Sequence, residues 1–406
     1  MDTHRRSIAD RAQRPEQLVR ILQVHTHYRQ PGGEDRVVET EAKLLSGAGH
    51  EVRSHRASNP EGPQAAIPFL LAPWNPAAAR KLRQAVEDFQ PDVAHVHNTW
   101  FAMSPSVVAE LKATGVPVVV TLHNYRAICS AATLFRDGRP CTDCVGSHVG
   151  HAVAHRCYRG SSAQSAVAAA SIAVHKRRGT WRRDVDRFLA LTEFGRQQHI
   201  AGGFPPERIE VKSNSVDEPG RRTLLPSESR TVLFVGRLSE EKGVDTLLDA
   251  WARRSRQLDL VVIGTGPLEA SLRKRAPTSV RFLGSQTPEE VAEQMASARA
   301  LVFPSICYEG QGLVALEAAA AGLPVVVSDH GAMTGLFAPH ARELLFPPGD
   351  ADALSRRLDA LEGADHVDAQ GAVARRCFEE RYSHEVALGR LEQIYRDVSV
   401  ISNDDR

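Results

Sequence analysis

The chain has 406 residues, a length typical of two or three domains. Hydrophobic residues make up 42% and charged residues 24%, which excludes a disordered, collagen-like or disulfide-scaffold chain. The net charge of +1 hides an asymmetry. Residues 1–200 carry 26 Lys and Arg against 18 Asp and Glu, whereas residues 201–406 carry 24 against 31. A basic first half indicates either drift in surface composition or a domain that meets an anionic or membrane-borne partner.

No run of 18 or more apolar residues occurs, and the first 18 residues are polar, without the apolar core of a secretory signal. The six cysteines, in a chain without an export signal, favour a reducing compartment. We therefore expect a cytoplasmic protein without a transmembrane span.

The first half alternates strand and helix patterns. Residues 19–25 form an apolar, strand-like run, a glycine-containing loop follows, and the next apolar residues recur at helical spacing. Further strands are expected at 93–97 and 116–123, with a helix at 107–113 between them. Strands that alternate with helices predict a parallel sheet.

The second half begins a new strand and helix series after a polar stretch, which predicts a second doubly wound domain with a boundary near residue 217. Its strands are predicted at 231–235, 258–263, 280–283, 300–304 and 324–328. Its helices are predicted at 244–254, 268–275, 288–298 and 312–321. Ligands of such sheets bind at the carboxyl ends of the strands, so the cleft between the domains is the expected site.

Two acidic residues flank the glycine turn that opens the helix at 312–321. Glu309 precedes the turn, and Glu317 lies within a very apolar helix, where an ionised carboxylate is costly unless a partner meets it. Eight helical residues span about 12 Å, so the two acids suit the two ends of a long, hydroxyl-bearing ligand. The alternatives are an acid that interacts with the helix dipole at Glu309 and a buried, backbone-bonded acid at Glu317.

Two cations follow the strand at 231–235. Arg237 and Lys242 lie five positions apart in a loop before a helix, an arrangement that suits a diphosphate. A solvated turn with Lys242 paired to Glu240 or Glu241 is the alternative.

Taken together and in order, these motifs resemble the retaining family 4 glycosyltransferases, which have the GT-B fold of two Rossmann-like domains facing across a cleft. The resemblance spans nearly the whole chain. It rests on Gly32-Gly33, Thr121-Leu122-His123, Asn214-Ser215-Val216-Asp217, Gly236-Arg237 to Lys242-Gly243, and Glu309 to Glu317. Ser215 and Gln311 depart from the usual pattern, where glycine and an aromatic residue are common, and leave the donor sugar in doubt.

The resemblance implies a role for each matching residue. Arg237 and Lys242 would hold the diphosphate of a nucleotide-sugar donor, and the amide of Gly33 would approach it. Glu309 would contact the donor sugar, Glu317 the ribose, and His123 would lie beside the reacting centre. Backbone amides around the donor would come from Gly310, Gly312 and Leu313. No divalent metal is expected, because cations and helix N-termini neutralise the leaving diphosphate.

The implied organisation has four parts: a polar tail at 1–18, an acceptor-binding domain at 19–217, a donor-binding domain at 218–381, and a helix at 382–406 that packs back on the first domain before a short tail. Within the first domain, His97 and Asn98 are candidates for the acceptor side, as are Arg29, Glu34 and Asp35. A structural core histidine is an equal alternative for His97.

Four of the six cysteines form a cysteine-rich insertion at about 129–157. The set is Cys129, Cys141, Cys144 and Cys157. Their Cys-x2-Cys core fits a structural zinc site, with reduced free thiols or a disulfide as alternatives.

A basic stretch at 175–183 concentrates positive charge around one indole. It fits either a solvated helix face or contact with anionic lipid at the inner membrane face or with a lipid-linked acceptor. Nucleic acid is not an expected partner, because the basic run is short and only 6% of the residues are aromatic.

The predicted function is retaining transfer of a hexose from a nucleotide-diphosphate sugar, expected to be a UDP-sugar, to an acceptor that the sequence does not identify. A sugar-nucleotide epimerase or hydrolase of the same fold, and a noncatalytic nucleotide-sugar-binding subunit, are the alternatives. Gly264 and Gly266 make two-thirds of a dinucleotide fingerprint, but the third glycine is replaced by Glu269, so nicotinamide binding is not expected.

Overall fold

The computed structural model describes residues 18–28, 32–219, 222, 224–253, 258–337 and 342–404. Two six-stranded parallel sheets dominate it, with helices between successive strands. The predicted fold class, two doubly wound Rossmann-like domains, is confirmed.

The first sheet has the strand order β2-β1-β3-β4-β7-β8. Its strands are β1 Arg20–His27, β2 Glu51–Ser58, β3 Val93–Asn98, β4 Val118–Leu122, β7 Arg187–Ala190 and β8 Ile209–Val211. A short antiparallel hairpin, β5 Phe135–Arg136 and β6 Arg139–Pro140, follows β4 in the chain. The helices of this half are α1 Gly33–Gly47, α2 Ala66–Leu70, α3 Pro76–Phe89, α4 Ser106–Ala113, α5 Gly150–Ala154, α6 Ser162–Arg178, α7 Thr180–Arg183 and α8 Glu193–Ala201.

The second sheet has the order β11-β10-β9-β12-β13-β14. Its strands are β9 Thr231–Val235, β10 Asp259–Ile263, β11 Val280–Gly284, β12 Ala300–Phe303, β13 Val325–Ser328 and β14 Leu345–Phe346. The helices are α9 Val244–Ala252, α10 Glu269–Arg275, α11 Pro288–Ala296, α12 Leu313–Ala320, α13 Ala332–Leu336, α14 Ala351–Ala360, α15 Ala364–Arg381 and α16 His384–Asp404. Short 3-10 turns lie at Gly62–Ala65, Pro206–Arg208, Pro226–Glu228, Glu240–Lys242 and Arg342–Leu344.

Alternate residues of the second sheet's strands pack into two separate cores. In β9, Leu233 belongs to one core, whereas Val232 and Phe234 belong to the other. Successive side chains of a strand point to opposite faces, so this sheet is covered on both sides. A sheet buried on both faces explains the continuous apolar strands from which the second half was predicted.

Strand β2 has a polar sequence and was not predicted. It lies at the edge of the first sheet, where it pairs only with β1, and all eight of its residues are exposed or half-buried. An edge strand with solvent on its faces needs no apolar pattern, so periodicity could not reveal it.

By contact density the chain forms two compact units. The first contains the described residues of Met1–Thr121, Ala173–Phe188 and Leu388–Arg406, and the second contains those of Leu122–Ile172 and Leu189–Ala387. Within the first unit the Tyr395 hydroxyl of α16 lies 2.8 Å from His95 Nδ1 in β3. Residue 217, the predicted domain boundary, lies between β8 and β9, and residues 1–17 of the predicted tail lie outside the described residues.

Among the described residues, no helix combines the length and the apolar composition that crossing a bilayer requires.

Candidate active site

The carboxylate of Glu309 is the centre of a hydrogen-bonded cluster in the second unit. Its Oε1 atom lies 2.6 Å from Lys242 Nζ and 2.6 Å from the Ser305 hydroxyl, and the Cys307 thiol lies 3.7 Å away. The side chain of Glu309 is 12% exposed and that of Lys242 is 26% exposed. The two residues that the sequence assigned to different parts of a donor therefore meet directly.

Both members of this pair are charged at neutral pH. Burial raises the pKa of Glu309, but the charge and hydrogen bond of Lys242 and the Ser305 hydroxyl oppose it, and the net pKa is lowered. Burial lowers the pKa of Lys242, but the Glu309 charge outweighs it and the net pKa is raised.

Close packing of two loops brings Lys242 to Glu309. Gly243 follows Lys242 with φ of +67°, and a Cβ there would lie 2.0 Å from the Pro304 carbonyl oxygen. The Ile306 amide also donates a 2.9 Å hydrogen bond to the Glu241 carbonyl. Glycine adopts a positive φ without strain and has no Cβ to collide with the Pro304 carbonyl oxygen. This explains why glycine follows Lys242.

The segment after β4 approaches Glu309 from another side of the same unit. The Tyr125 hydroxyl donates a 3.1 Å hydrogen bond to the Glu309 carbonyl. A Cβ on Gly310 would lie 2.7 Å from the His123 carbonyl oxygen. His123, half-buried, is thus brought beside the Glu309-Gly310 backbone.

The other predicted donor residues of the second unit lie on the same two loops or on α12. Arg237 is exposed in the loop after β9, and Gly312 immediately precedes Leu313, the first residue of α12. Glu317 lies on α12 and is half-buried. Only residues from Leu313 onward are helical, so Glu309 lies in a loop rather than on the helix axis shared with Glu317.

The dinucleotide-like glycines have a packing role. A Cβ on Gly264 would lie 2.0 Å from the Gly236 carbonyl oxygen, and one on Gly266 would lie 2.3 Å from the Leu238 carbonyl oxygen. The loops after β9 and β10 are pressed together at these positions. Backbone contact with a neighbouring loop therefore accounts for both glycines.

The Gly32-Gly33 turn, in the first unit, is fixed by an aspartate. Asp35 Oδ2 accepts a 2.9 Å hydrogen bond from the Gly32 amide, and Oδ1 lies 2.8 Å from His25 Nε2 and 3.0 Å from His27 Nδ1. Burial lowers the pKa of His25. Burial raises the pKa of Asp35, but the hydrogen bonds that the carboxylate accepts lower it by more, so the net pKa is lowered. Gly33 itself is the first residue of α1.

The candidate acceptor residues His97 and Asn98 are buried in the first unit. Asn98 donates from Nδ2 to the Thr26 carbonyl at 2.9 Å and accepts from the Trp100 amide at 2.9 Å. His97 Nε2 lies 3.8 Å from Glu41 Oε2. Asn98 thus has structural bonds at both ends of its amide, and a direct role in acceptor binding stays a prediction for both residues.

The remaining acceptor candidates differ in what surrounds them. Glu34 accepts a 2.9 Å hydrogen bond from the Tyr28 hydroxyl, and Asp35 is buried as described above. Arg29 lies outside the described residues.

Two side-chain groups in the described part of the chain have the composition and spacing of metal ligands, with their ligand atoms within 4.8 Å of one another. They are His25 with His27 and Asp35, and Glu41 with His95 and His97. In the first group the carboxylate already bonds both imidazoles, so its hydrogen bonds account for the arrangement without an ion.

The four cysteines of the insertion are free thiols, all half-buried. They interact electrostatically with one another. Burial, together with the neighbouring thiols, raises the pKa of Cys144 to about 11. No three of them, within the part of the chain described, approach as closely as the two histidine groups above. The structural zinc therefore stays a prediction.

Three members of the Glu309 cluster were not predicted from the sequence: Tyr125, Ser305 and Cys307. Ser305, Cys307 and Glu309 alternate along one loop, and Tyr125 follows His123 by two positions. The alternation of Ser305, Cys307 and Glu309 could have indicated that their side chains lie on one side of the loop. The contact of Tyr125 with Glu309 could not be predicted, because 184 residues separate them in the chain.

Two family models match the chain and together cover most of it. "Glycosyltransferase Family 4" matches residues 31–218, and "Glycosyl transferases group 1" matches residues 229–362. The matches meet near the predicted domain boundary and include every donor-side position discussed above.

Curated relatives agree with the family models. The chain is 28% identical over 395 residues to a phosphatidyl-myo-inositol mannosyltransferase of Mycolicibacterium smegmatis, with 91% of each chain covered. It is 35% identical over 201 residues to a GDP-mannose-dependent alpha-mannosyltransferase of Mycobacterium tuberculosis, covering 47% of this chain and 51% of that protein.

Solved structures share the fold. Sucrose-phosphate synthase from Thermosynechococcus elongatus has a TM-score of 0.70 at 18% identity, covering 94% of this chain and all of the other. Anabaena HepE in complex with UDP-glucose has a TM-score of 0.64 at 16% identity, covering 93% and 100%. With its motifs, family matches and fold in agreement, the chain belongs to the family 4 glycosyltransferases and is a glycosyltransferase enzyme of the GT-B fold.

Proposed function

We propose that the enzyme transfers a hexose from a nucleotide-diphosphate sugar to an acceptor hydroxyl with retention of anomeric configuration. The Lys242 and Glu309 pair is the observation that carries this proposal. Two opposite charges, both largely shielded from solvent, sit where the loops after β9 and β12 meet. The carboxyl ends of parallel strands are where ligands of such sheets bind.

In this proposal Lys242 exchanges its partner when the donor binds. The ammonium group neutralises the diphosphate together with Arg237, and Glu309 turns its carboxylate to hydroxyls of the donor sugar. Glu317 receives the ribose hydroxyls, and backbone amides at Gly310, Gly312 and Leu313 contact the donor. Stabilising charge as it develops on the leaving diphosphate is the main catalytic contribution expected of these groups.

The environment of Glu309 supports front-face displacement over a covalent intermediate. A carboxylate whose pKa is lowered, and which accepts hydrogen bonds from Lys242 and Ser305, is a weak nucleophile. The acceptor oxygen would attack the anomeric carbon on the side from which the diphosphate leaves. The hydroxyl proton would pass to the departing phosphate oxygen, so the step needs no protein nucleophile.

The donor proposed from the sequence is a UDP-sugar, and GDP-mannose is a second candidate. One relative at 35% identity bears the name GDP-mannose-dependent alpha-mannosyltransferase, and the relative matched over 91% of the chain is also a mannosyltransferase. We therefore include both nucleotides in the test below.

We further propose an anionic or lipid-linked acceptor. The basic balance of the first half favours an anionic partner. The relative matched over 91% of this chain is named for phosphatidyl-myo-inositol, an anionic lipid.

A thermal-shift panel of UDP- and GDP-sugars tests donor binding, because a bound donor stabilises the protein by RT ln(1 + [L]/Kd). We expect one base and one sugar to raise the melting temperature most. Failure of every nucleotide to shift it contradicts the proposal.

Product analysis with the ranked donor then separates the three candidate activities. Glycosyl transfer requires an acceptor and keeps the anomeric configuration. A new sugar nucleotide would indicate an epimerase, release of free sugar without any acceptor a hydrolase, and binding without turnover a noncatalytic subunit.

A further inference from the structure

Three large aliphatic side chains project into solvent from one short helix in the first unit. Ile67, Leu70 and Leu71 are 71%, 65% and 38% exposed. Positions 67, 70 and 71 follow the i, i+3, i+4 spacing, so they share one face of α2 and its final turn. An apolar face turned outward is the reverse of the usual pattern for a surface helix.

The opposite side of α2 fastens it to the protein. The Phe69 ring lies 5.4 Å from the Phe101 ring and 6.0 Å from the Trp100 ring. Ala72 is fully buried. The outward face is therefore held in place by packing behind it.

A basic segment lies against the chain that leaves α2. Within the first unit, His175 Nε2 lies 3.0 Å from the Pro73 carbonyl oxygen, and the His175 ring stacks on Trp74 at 5.7 Å. The Arg178 guanidinium lies 4.2 Å above the Trp74 ring. Since the Trp74 amide donates a 2.9 Å hydrogen bond to the Leu71 carbonyl, the aliphatic face and Arg178 lie close together.

The segment that carries Arg178 is strongly basic. Residues 173–188 contain six Lys and Arg against two Asp. Asp186 is engaged by Lys112 at 2.7 Å and by the Val118 amide. Asp184 remains as the acidic neighbour of Arg178 and Arg183. The exposed cations are Lys176, Arg177, Arg178, Arg182 and Arg183.

We propose that this surface, formed by the exposed face of α2 with Trp74 and the cations of residues 176–183, docks on an anionic phospholipid bilayer. In a bilayer, apolar acyl chains lie beneath anionic headgroups. The exposed aliphatic side chains suit the acyl region, and the indole and the cations suit the headgroup region. Each cation near such a surface strengthens binding about fivefold. Docking concerns where the enzyme resides and does not depend on the donor proposal.

The test is cosedimentation of the full chain with vesicles of phosphatidylcholine, with and without phosphatidylglycerol. We expect binding to the anionic vesicles only, weakened by added salt. Ile67→Ser with Leu70→Ser should reduce partitioning at least about tenfold, since each removes an apolar side chain from the lipid. Arg177→Gln with Arg182→Gln should also reduce it at least about tenfold.

Matched controls replace residues outside this surface. Leu225→Ser with Val386→Ser removes exposed apolar side chains, and Lys43→Gln with Lys274→Gln removes exposed charges. Both should bind as the wild type does. Equal binding to both vesicle types, or an unchanged Ile67→Ser/Leu70→Ser variant, overturns the proposal. A dimer in sedimentation velocity that the same variant abolishes would overturn it too, because the occupant would then be a second copy.

Discussion

At the scale of single residues, the site depends on one ion pair held away from bulk water. Lys242 and Glu309 come from loops 67 residues apart and lie 2.6 Å from each other. The charge of each residue favours the ionised form of the other, so the pKa of Lys242 is raised and that of Glu309 is lowered.

Replacing Lys242 or Glu317 with alanine should abolish most transfer activity while the fold survives. Loss of one preorganised group that meets developing charge lowers kcat about 100-fold to 1,000-fold, which we expect for Lys242→Ala. For Glu317→Ala we expect weaker donor binding. Initial rates and donor titrations measure both effects.

The control for these variants is Lys274→Ala, an exposed lysine on α10. It should retain wild-type activity. Near wild-type rates in both Lys242→Ala and Glu317→Ala would contradict the assignment of the donor site.

Gly243→Ala should destabilise the protein through its contact with Pro304 as well as through its backbone conformation. Gly284 offers a control, because it has a similar φ of +72° but no atom lies within 4 Å of the position that a Cβ would occupy. A left-handed alanine costs about 1 to 2 kcal/mol, which is the loss expected in Gly284→Ala.

We expect a clearly larger loss in Gly243→Ala, because a Cβ at 2.0 Å from a carbonyl oxygen forces the two loops apart. Urea denaturation measures both variants. Equal losses would show that the contact with Pro304 does not constrain Lys242.

At the scale of elements, the candidate site residues lie in loops at the carboxyl ends of strands, and contacts between those loops set the distances between the side chains. The loops that follow β9 and β12 supply Lys242 and Glu309, and the segment after β4 adds His123 and Tyr125. The order of these elements was predictable from the strand and helix pattern. The distances between their loops were not, because they depend on backbone contacts at Gly243 and Gly310.

The cysteine insertion allows a prediction at this scale. The Cys141-x2-Cys144 turn follows the β5-β6 hairpin, and Cys157 follows α5. The spacing predicts about one zinc per chain, bound by four thiolates. Elemental analysis of protein purified without chelator measures it, and Cys144→Ser should lower the content.

Zinc absent from the wild-type protein would leave reduced thiols or a disulfide in the insertion. Titration of the unfolded chain with a thiol reagent separates them, because six reduced thiols are expected with Cys307 and Cys377 included. The arginine that interacts with Cys157, Arg136, also lies 3.0 Å from Asp143, so the insertion has polar links that do not need a metal.

At the scale of the whole molecule, buried neutral histidines make stability depend on pH. Burial lowers the pKa of His175 and of His199 to about 4 each. In the unfolded chain these histidines take up protons near the ordinary histidine pKa of 6.5, whereas in the folded chain they stay neutral down to about pH 4. Their contribution to the free energy of unfolding is therefore present above pH 6.5 and is lost progressively as the pH falls toward 4.

We therefore expect the free energy of unfolding to fall by about 2 kcal/mol per histidine between pH 7 and pH 5. Urea denaturation at the two pH values measures the change. His199→Gln should reduce the pH dependence, whereas His155→Gln, which replaces an exposed histidine, should leave it unchanged. Identical pH dependence in all three proteins would refute the role of His199.

Periodicity and composition were enough to predict two doubly wound domains and most strands of the second sheet, because strands buried on both faces must be apolar. The donor residues came from the charged residues at strand ends together with the resemblance to the family 4 glycosyltransferases, and their roles stay predictions. The pairing of Lys242 with Glu309, the place of Tyr125, the burial of His97 and Asn98, and the outward face of α2 were decided by tertiary structure alone. Contacts between residues far apart in the chain determine burial and partner choice, and local sequence does not encode them.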